Sequence, residues 1–362
     1  MNKKFSAYNI KELGERPKWW RVRPEEINQQ MQNLRRGQTE VLCQTAGDHP
    51  LWAVTYNAGE KIKQTVNWSA AGSSSKPDKF KTSGYERQTV VICAGLHGAE
   101  PEGVVAALNL ISLMENGIDL RGIKHENLSV LLENYTVVIM PCVNMDGRSI
   151  CPDHLRGATY EQFRTASQGM WNNGNYINWQ ESKEYFPLPL DEVAFPGGYP
   201  NSDGFNIMHD CAPGCLKTAE ATAILSLNEH KQTDLFLNLH SCEASPVLLP
   251  PSQFNYGAHV ERGNQLHRKL MQAFKSRKLI NQGQQPWSPN SYVINLNTAV
   301  TMCSGALALT YESTVTDKWT FDQILEMHYI LFETVLEDGL EKSFSPRSEI
   351  VKAKIKQGVA AE

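Results

Sequence analysis

The chain has 362 residues and a formal charge of −4. That length allows a substantial buried core, as one large domain or two ordinary ones, and the patterning below favours one large α/β domain. Acidic and basic residues are spread along the chain, leaving no electrostatic footprint for nucleic acid or an anionic membrane, so the expected partner is small or peptidic.

The opening MNKKFSAYNIKELGERPKWWRVRPEE starts basic but has no apolar stretch behind it, and no segment reaches membrane-spanning length. The expectation is a cytoplasmic protein without a secretory leader. Eight cysteines are scattered along the chain. Cys93 and Cys142 lie in or beside apolar runs and read as reduced core residues. Cys211 and Cys215 have no second pair to complete a zinc cage and are assigned a structural or incidental role.

A helical opening near Pro24 precedes EVLCQTAG and PLWAVTYNAG, two strands joined by the turn Gly47-Asp48-His49-Pro50 into an edge hairpin. AAGSSSKPDKFKTSG reads as a polar surface loop. Four β-branched apolar runs follow, TVVICA, YTVVIMP, DLFLNLH and GALALTY. Their near-continuous hydrophobicity predicts strands covered on both faces, as in a doubly wound sheet. Helices are predicted over Pro101 to Asn116, ending at Gly117, over Thr218 to His230, and over Phe321 to Leu336. Strands alternating with helices indicate an α/β sandwich. Between Pro141 and Cys215 the pattern dissolves into Asn, Gly, Pro and aromatics, and this stretch is read as the wall of a substrate cleft.

His97 and Glu100 form an H-x-x-E pair where TVVICA runs into the Pro-started helix. Two metal-capable side chains on a turn at a strand's carboxyl end can grip one cation, but the pattern is common and needs a third ligand and a base. DLFLNLHS ends on His240, which would face the same rim. Two histidines and one carboxylate leave a tetrahedral zinc with an open fourth position, as catalysis requires. Glu312, just past GALALTY, is a carboxylate partly removed from water. Its pKa is expected to be raised, which suits it to take a proton from an attacking water.

The order of these elements, H-x-x-E after a strand, the turn Asn144-Met145-Asp146-Gly147, LHS at a strand end and a glutamate ending a late strand, resembles the zinc carboxypeptidase family over roughly Pro50 to Gly339. The resemblance implies a mixed, mostly parallel central sheet of about eight strands between helices. It implies one Zn2+ per chain on His97, Glu100 and His240, with Glu312 as general base. Residues 1–45 then read as an N-terminal helical extension, 46–345 as a single metallopeptidase-like catalytic domain and 346–362 as a C-terminal tail.

The family also implies an arginine after the N-x-D-G turn that holds the oxyanion. Arg156 is the best-placed candidate, with Arg148 and Arg164 as competitors. Tyr292, in SPNSYVINLN, stands where relatives carry a tyrosine over the substrate. Asn144, Asn206 and His209 complete the expected substrate side of the cleft. Where relatives carry the Asn-Arg pair that clamps a terminal carboxylate, this chain has Met208 and His209. Asn206 and Asp210 would then line a modified pocket, or Met208 and Asn206 serve packing and the turn. The implied function is zinc-dependent hydrolysis of an amide bond in a peptide. The alternatives are a deacylase or amidase of a small N-acyl amino acid or modified peptide and, in a different class, a non-catalytic zinc or peptide-binding protein.

Overall fold

A computed structural model describes residues 5–59, 66–80, 87–212, 214–285 and 292–345. Nine strands are present among them: β1 (Gln38–Gln44), β2 (Pro50–Tyr56), β3 (Gln88–Ala94), β4 (Tyr135–Met140), β5 (Met170–Trp171), β6 (Val193–Phe195), β7 (Leu235–Cys242), β8 (Val247–Leu249) and β9 (Leu307–Thr314). Seven of them form one sheet in the order β1-β2-β4-β3-β7-β9-β8, against the about eight that the resemblance implies, and β5 with β6 makes a separate ribbon. The four central strands β4, β3, β7 and β9 run parallel, while both edges are antiparallel.

The pleat explains why the central runs are apolar without alternation. Val90 and Ile92 of β3 enter one core with the helices Pro101–Asn116, Gly257–Ser276 and Phe321–Glu341. Val91 and Cys93 enter a second core with the helices Ala219–His230 and Leu296–Ser304. Successive side chains point to opposite faces and both faces are covered, so apolar residues are favoured at nearly every position. Each fully buried Val or Ile contributes roughly 1.5–3 kcal/mol relative to exposure.

The helix Pro101–Asn116 begins with Pro at its first turn and ends at Gly117, whose φ of 73° closes it in the left-handed conformation. Every residue from Pro101 to Leu113 is buried, so this helix lies inside the molecule rather than resting one face on the sheet. Its N-terminus opens directly from the H-x-x-E turn.

Several elements differ from the sequence expectation. The long segment after β4 contains the helices Met145–Ile150, Tyr160–Gln168 and Glu181–Glu184 besides the β5–β6 ribbon. The second of these starts with a capping box between Thr159 and Gln162. The polar segment after residue 66 holds a short helix, Trp68–Ser73. β1 pairs antiparallel with β2 at the sheet edge, as the hairpin expectation has it, so residues 1–45, read as a helical extension, also carry a strand of the main sheet. Residues 346–362, expected as a C-terminal tail, lie outside the described residues. Among the described residues no helix is long and apolar enough to cross a membrane, and no disulfide joins the cysteines, Cys211 and Cys215 included.

Candidate metal centre and active site

At the end of β3, Gly95 (φ 60°) turns the chain into the segment carrying His97 and Glu100. This turn is pressed against the N-x-D-G turn. A Cβ on Gly98 would come within 2.1 Å of the Gly147 carbonyl carbon, so only glycine fits there. Arg148 ties the two turns together by donating to the carbonyls of Gly98, Cys151 and Pro152. Asn144 accepts from the Gly147 N–H at 2.9 Å and donates to the carbonyls of Gly198, Tyr199 and Pro200 at 3.0–3.2 Å. Its side chain is therefore committed to holding the turn, and the assignment of Asn144 to substrate contact is corrected on that ground.

His97, Glu100 and His240 converge at the carboxyl ends of β3 and β7. One ligand atom from each lies within 4.8 Å of the others, and all three residues are buried. Glu100 stands between the imidazoles, with its Oε1 2.9 Å from His97 Nδ1 and its Oε2 2.8 Å from His240 Nδ1. The far nitrogen of His97, Nε2, meets Asn206 Oδ1 at 3.3 Å, and the same oxygen accepts the Met208 N–H at 3.1 Å. An amide oxygen only accepts, so with the proton on Nε2 His97 would offer its Nδ1 lone pair, on the side of Glu100, to a metal. Two imidazole nitrogens and a carboxylate, close enough to draw in to bonds of about 2.0–2.1 Å with one further position open, fit a catalytic zinc.

Electrostatics agree with that donor set. Burial by itself raises the Glu100 carboxyl, but the two imidazoles outweigh it and hold the group down at about 2. Burial lowers the pKa of His97 against the attraction of Glu100, whereas at His240 burial is overcome by Glu100 and Glu312, and its pKa is raised. Among the described residues there is no second such group of His, Cys, Asp and Glu side chains.

Glu312 sits on β9 directly beside His240, its parallel register partner on β7. Burial pushes its carboxyl up to about 7; His240 pulls it down, Glu100 and Glu243 raise it, and Lys183 lowers it. A carboxylate poised near neutrality next to a metal-binding triad has the pKa and the place of a general base.

The triad and Glu312 line a cleft of about 650 Å³ together with Asn206, Met208, His209, Arg164 and Lys183. Burial lowers His209 to about 4, with Lys183 and His97 adding to the shift, so its ring is neutral near pH 7 and supplies no cation where relatives carry arginine. Lys183 and Tyr199 were not legible as site residues. Lys183 is exposed over much of its length, but its ammonium lies 3.3 Å from the centre of the Trp179 ring, where desolvation lowers it to about 8 against the pull of Glu312. Tyr199 stacks on His97 with ring centres 4.0 Å apart.

Two further assignments are corrected. The Arg156 guanidinium donates to the carbonyls of Trp319, at 2.6 Å, and Asp317, at 3.0 Å, and covers the Phe321 ring; it does not line the cleft. Arg164 does, paired with Glu243 and bonded to Gln168 at 3.2 Å. Tyr292 is 67 % exposed, packs edge-on against Phe254 and is not among the cleft-lining residues, whereas its neighbour Val293 is. Arg164→Ala is therefore expected to lower kcat by on the order of 10²-fold and Arg156→Ala to leave it near the wild-type value. Steady-state kinetics on the two variants decides, and a loss confined to Arg156→Ala would return the role to that residue.

Among solved structures, a metallo-carboxypeptidase from Burkholderia cenocepacia superposes with a TM-score of 0.55 at 15 % identity, over 86 % of this chain and 68 % of that one. Bovine thrombin-activatable fibrinolysis inhibitor, in complex with tick carboxypeptidase inhibitor, superposes with a TM-score of 0.51 at 12 % identity, over 89 % of this chain and 99 % of that one. At such identities these likenesses speak to the fold. No curated protein matches the sequence. The zinc carboxypeptidase family model matches residues 27–324, a span that contains the buried triad and Glu312, and the chain belongs to that family.

Proposed function

We propose that the protein is a zinc-dependent hydrolase of amide bonds in peptides, with His97, Glu100 and His240 holding the metal and Glu312 as general base. The observation that carries this reading is the pairing of His240 with Glu312 across β7 and β9, which puts a carboxyl raised to about 7 beside a buried triad in an open cleft. Zinc held there supplies Lewis acidity, polarising the substrate carbonyl and acidifying the water that attacks it. Glu312 accepts the proton of that water and returns it to the nitrogen of the departing amine. Arg164 offers the guanidinium for the negative charge that develops on the carbonyl oxygen. A binding protein would need the triad but not the base.

A specific observation keeps a second reading in view. Met208 and the neutral His209 occupy the place of the carboxylate clamp, which favours a deacylase or amidase acting on a small N-acyl amino acid or a modified peptide. Turnover of a peptide series and an N-acyl amino acid series by zinc-loaded and chelated protein separates the two. Hydrolysis of neither by the loaded protein would remove both.

The pH profile offers an independent check. Glu312 works as the carboxylate, so the rate is lost as pH falls through its pKa. Burial raises that pKa to about 7, and a divalent cation alongside pulls it back down. The acid limb of kcat/KM is thus expected to lie below neutrality in the zinc enzyme. A profile that stays level from about pH 5 to 8 would take Glu312 out of the base role.

A further inference from the structure

The parallel register of β7 and β9 places a second rung of polar side chains beneath the catalytic one. His240 pairs with Glu312, and two residues back Asn238 pairs with Thr310. β8 continues both rungs, with Val247 opposite Glu312 and Leu249 opposite Thr310. Residues two apart share a face of the sheet at a spacing of roughly 6.5 Å, about one side chain's reach from the reacting carbonyl.

This lower rung is wired in one direction. Asn238 Nδ2 donates to Asn297 Oδ1 at 3.0 Å and faces Met208 Sδ at 3.7 Å. Thioether sulfur only accepts, so it sets the Asn238 amide with its NH2 outward. Asn297 Nδ2 in turn donates to Thr310 Oγ1 at 2.8 Å. The Thr310 oxygen is thereby an acceptor, and its own proton is left to point elsewhere. Thr310, Asn297, Met208 and Leu249 all line the cleft, and none is charged. Asn238 is fully buried, and among the described residues its Oδ1 has no partner.

We propose that this rung is a specificity subsite for a neutral side chain bearing a hydrogen-bond acceptor, with the carboxamide of glutamine as the best fit. The inference rests on the hydrolase reading and names the substrate class for it. An aliphatic side chain lodged there would exclude water and leave the Thr310 hydroxyl without an acceptor, a cost of about 1–3 kcal/mol. A carboxylate would be desolvated with no cation among the described residues of the rung. A carboxamide oxygen takes the Thr310 proton and meets neither penalty.

The test uses the zinc-loaded full chain and two tripeptides, Ala-Ala-Gln and Ala-Ala-Leu. The wild type is expected to favour Ala-Ala-Gln by about tenfold in kcat/KM, the worth of one well-placed hydrogen bond. Thr310→Val keeps the shape but removes the hydroxyl, and should bring the preference to about twofold or less, slowing the glutamine peptide and sparing the leucine peptide the unpaired hydroxyl. Thr310→Ser should restore it. Equal or better turnover of the leucine peptide by the wild type, or an undiminished preference in Thr310→Val, overturns the assignment. If the wild type turns over neither these two peptides nor any member of the peptide and N-acyl amino acid series above, the hydrolase reading fails. The subsite is then decided by calorimetric binding to Glu312→Gln, where tighter binding of Ala-Ala-Gln supports it and equal binding overturns it.

Discussion

Replacing Glu312 by Gln is expected to lower kcat by about 10²–10⁴-fold while leaving the bound zinc unchanged. Glutamine fills the same volume and keeps an acceptor oxygen, but it cannot take up a proton. Glu312 lies on β9, with β7 between it and β3, whose end carries the triad's own carboxylate that already bridges both imidazoles, so the candidate metal ligands are expected to survive the change. Kinetics paired with metal analysis of the same preparation makes the distinction. Activity within tenfold of wild type would transfer the base role to another group, and zinc lost along with activity would make Glu312 a ligand instead.

His97→Ala and His240→Ala should each reduce bound zinc from stoichiometric towards zero and abolish the rise in Tm that zinc confers on the wild type. A ligand that binds only the folded state stabilises it by mass action, about 4 kcal/mol at a thousandfold excess over Kd, and that gain disappears with the site. Removing either ring also strips Glu100 of one of the two partners that hold its buried carboxyl at about 2. Each variant is therefore expected to melt below the metal-free wild type as well, because a buried charge is left half-compensated. Stoichiometric zinc in both variants would dissolve the triad assignment.

Asn206 shows how a residue can be placed correctly for an incomplete reason. The sequence placed it near the modified clamp, as a pocket-lining or turn residue, and it does line the cleft. Its oxygen, however, is taken up by His97 Nε2 and the Met208 N–H, so it orients a candidate metal ligand and shapes the turn. Met208 combines packing with a polar contact, since its sulfur faces Asn238.

His97, Glu100, His240 and Glu312 were legible because each follows a short apolar run, and an apolar run with no alternation has few ways to sit in a protein other than at the centre of a covered sheet. The residue that leaves the carboxyl end of such a strand reaches the same rim whatever the loops do. Arginine choice had no such local rule. Arg148, Arg156 and Arg164 all follow the N-x-D-G turn, and chain distance does not rank them.

What the sequence by itself determined, then, was the alternation of strands and helices and the order in which the candidate metal ligands and the proposed base reach one rim. All of these depend on patterns a few residues long that repeat with the pleat or the helical turn. Only the tertiary structure decided that Arg148 is spent on three carbonyls, that Arg156 is held by Trp319 and Asp317, that Arg164 faces the cleft, and that Asn238, Asn297 and Thr310 form a polar rung below the base. A long guanidinium side chain goes to whichever carbonyls the loops bring within reach, and a rung exists only once two strands far apart in sequence have settled their register.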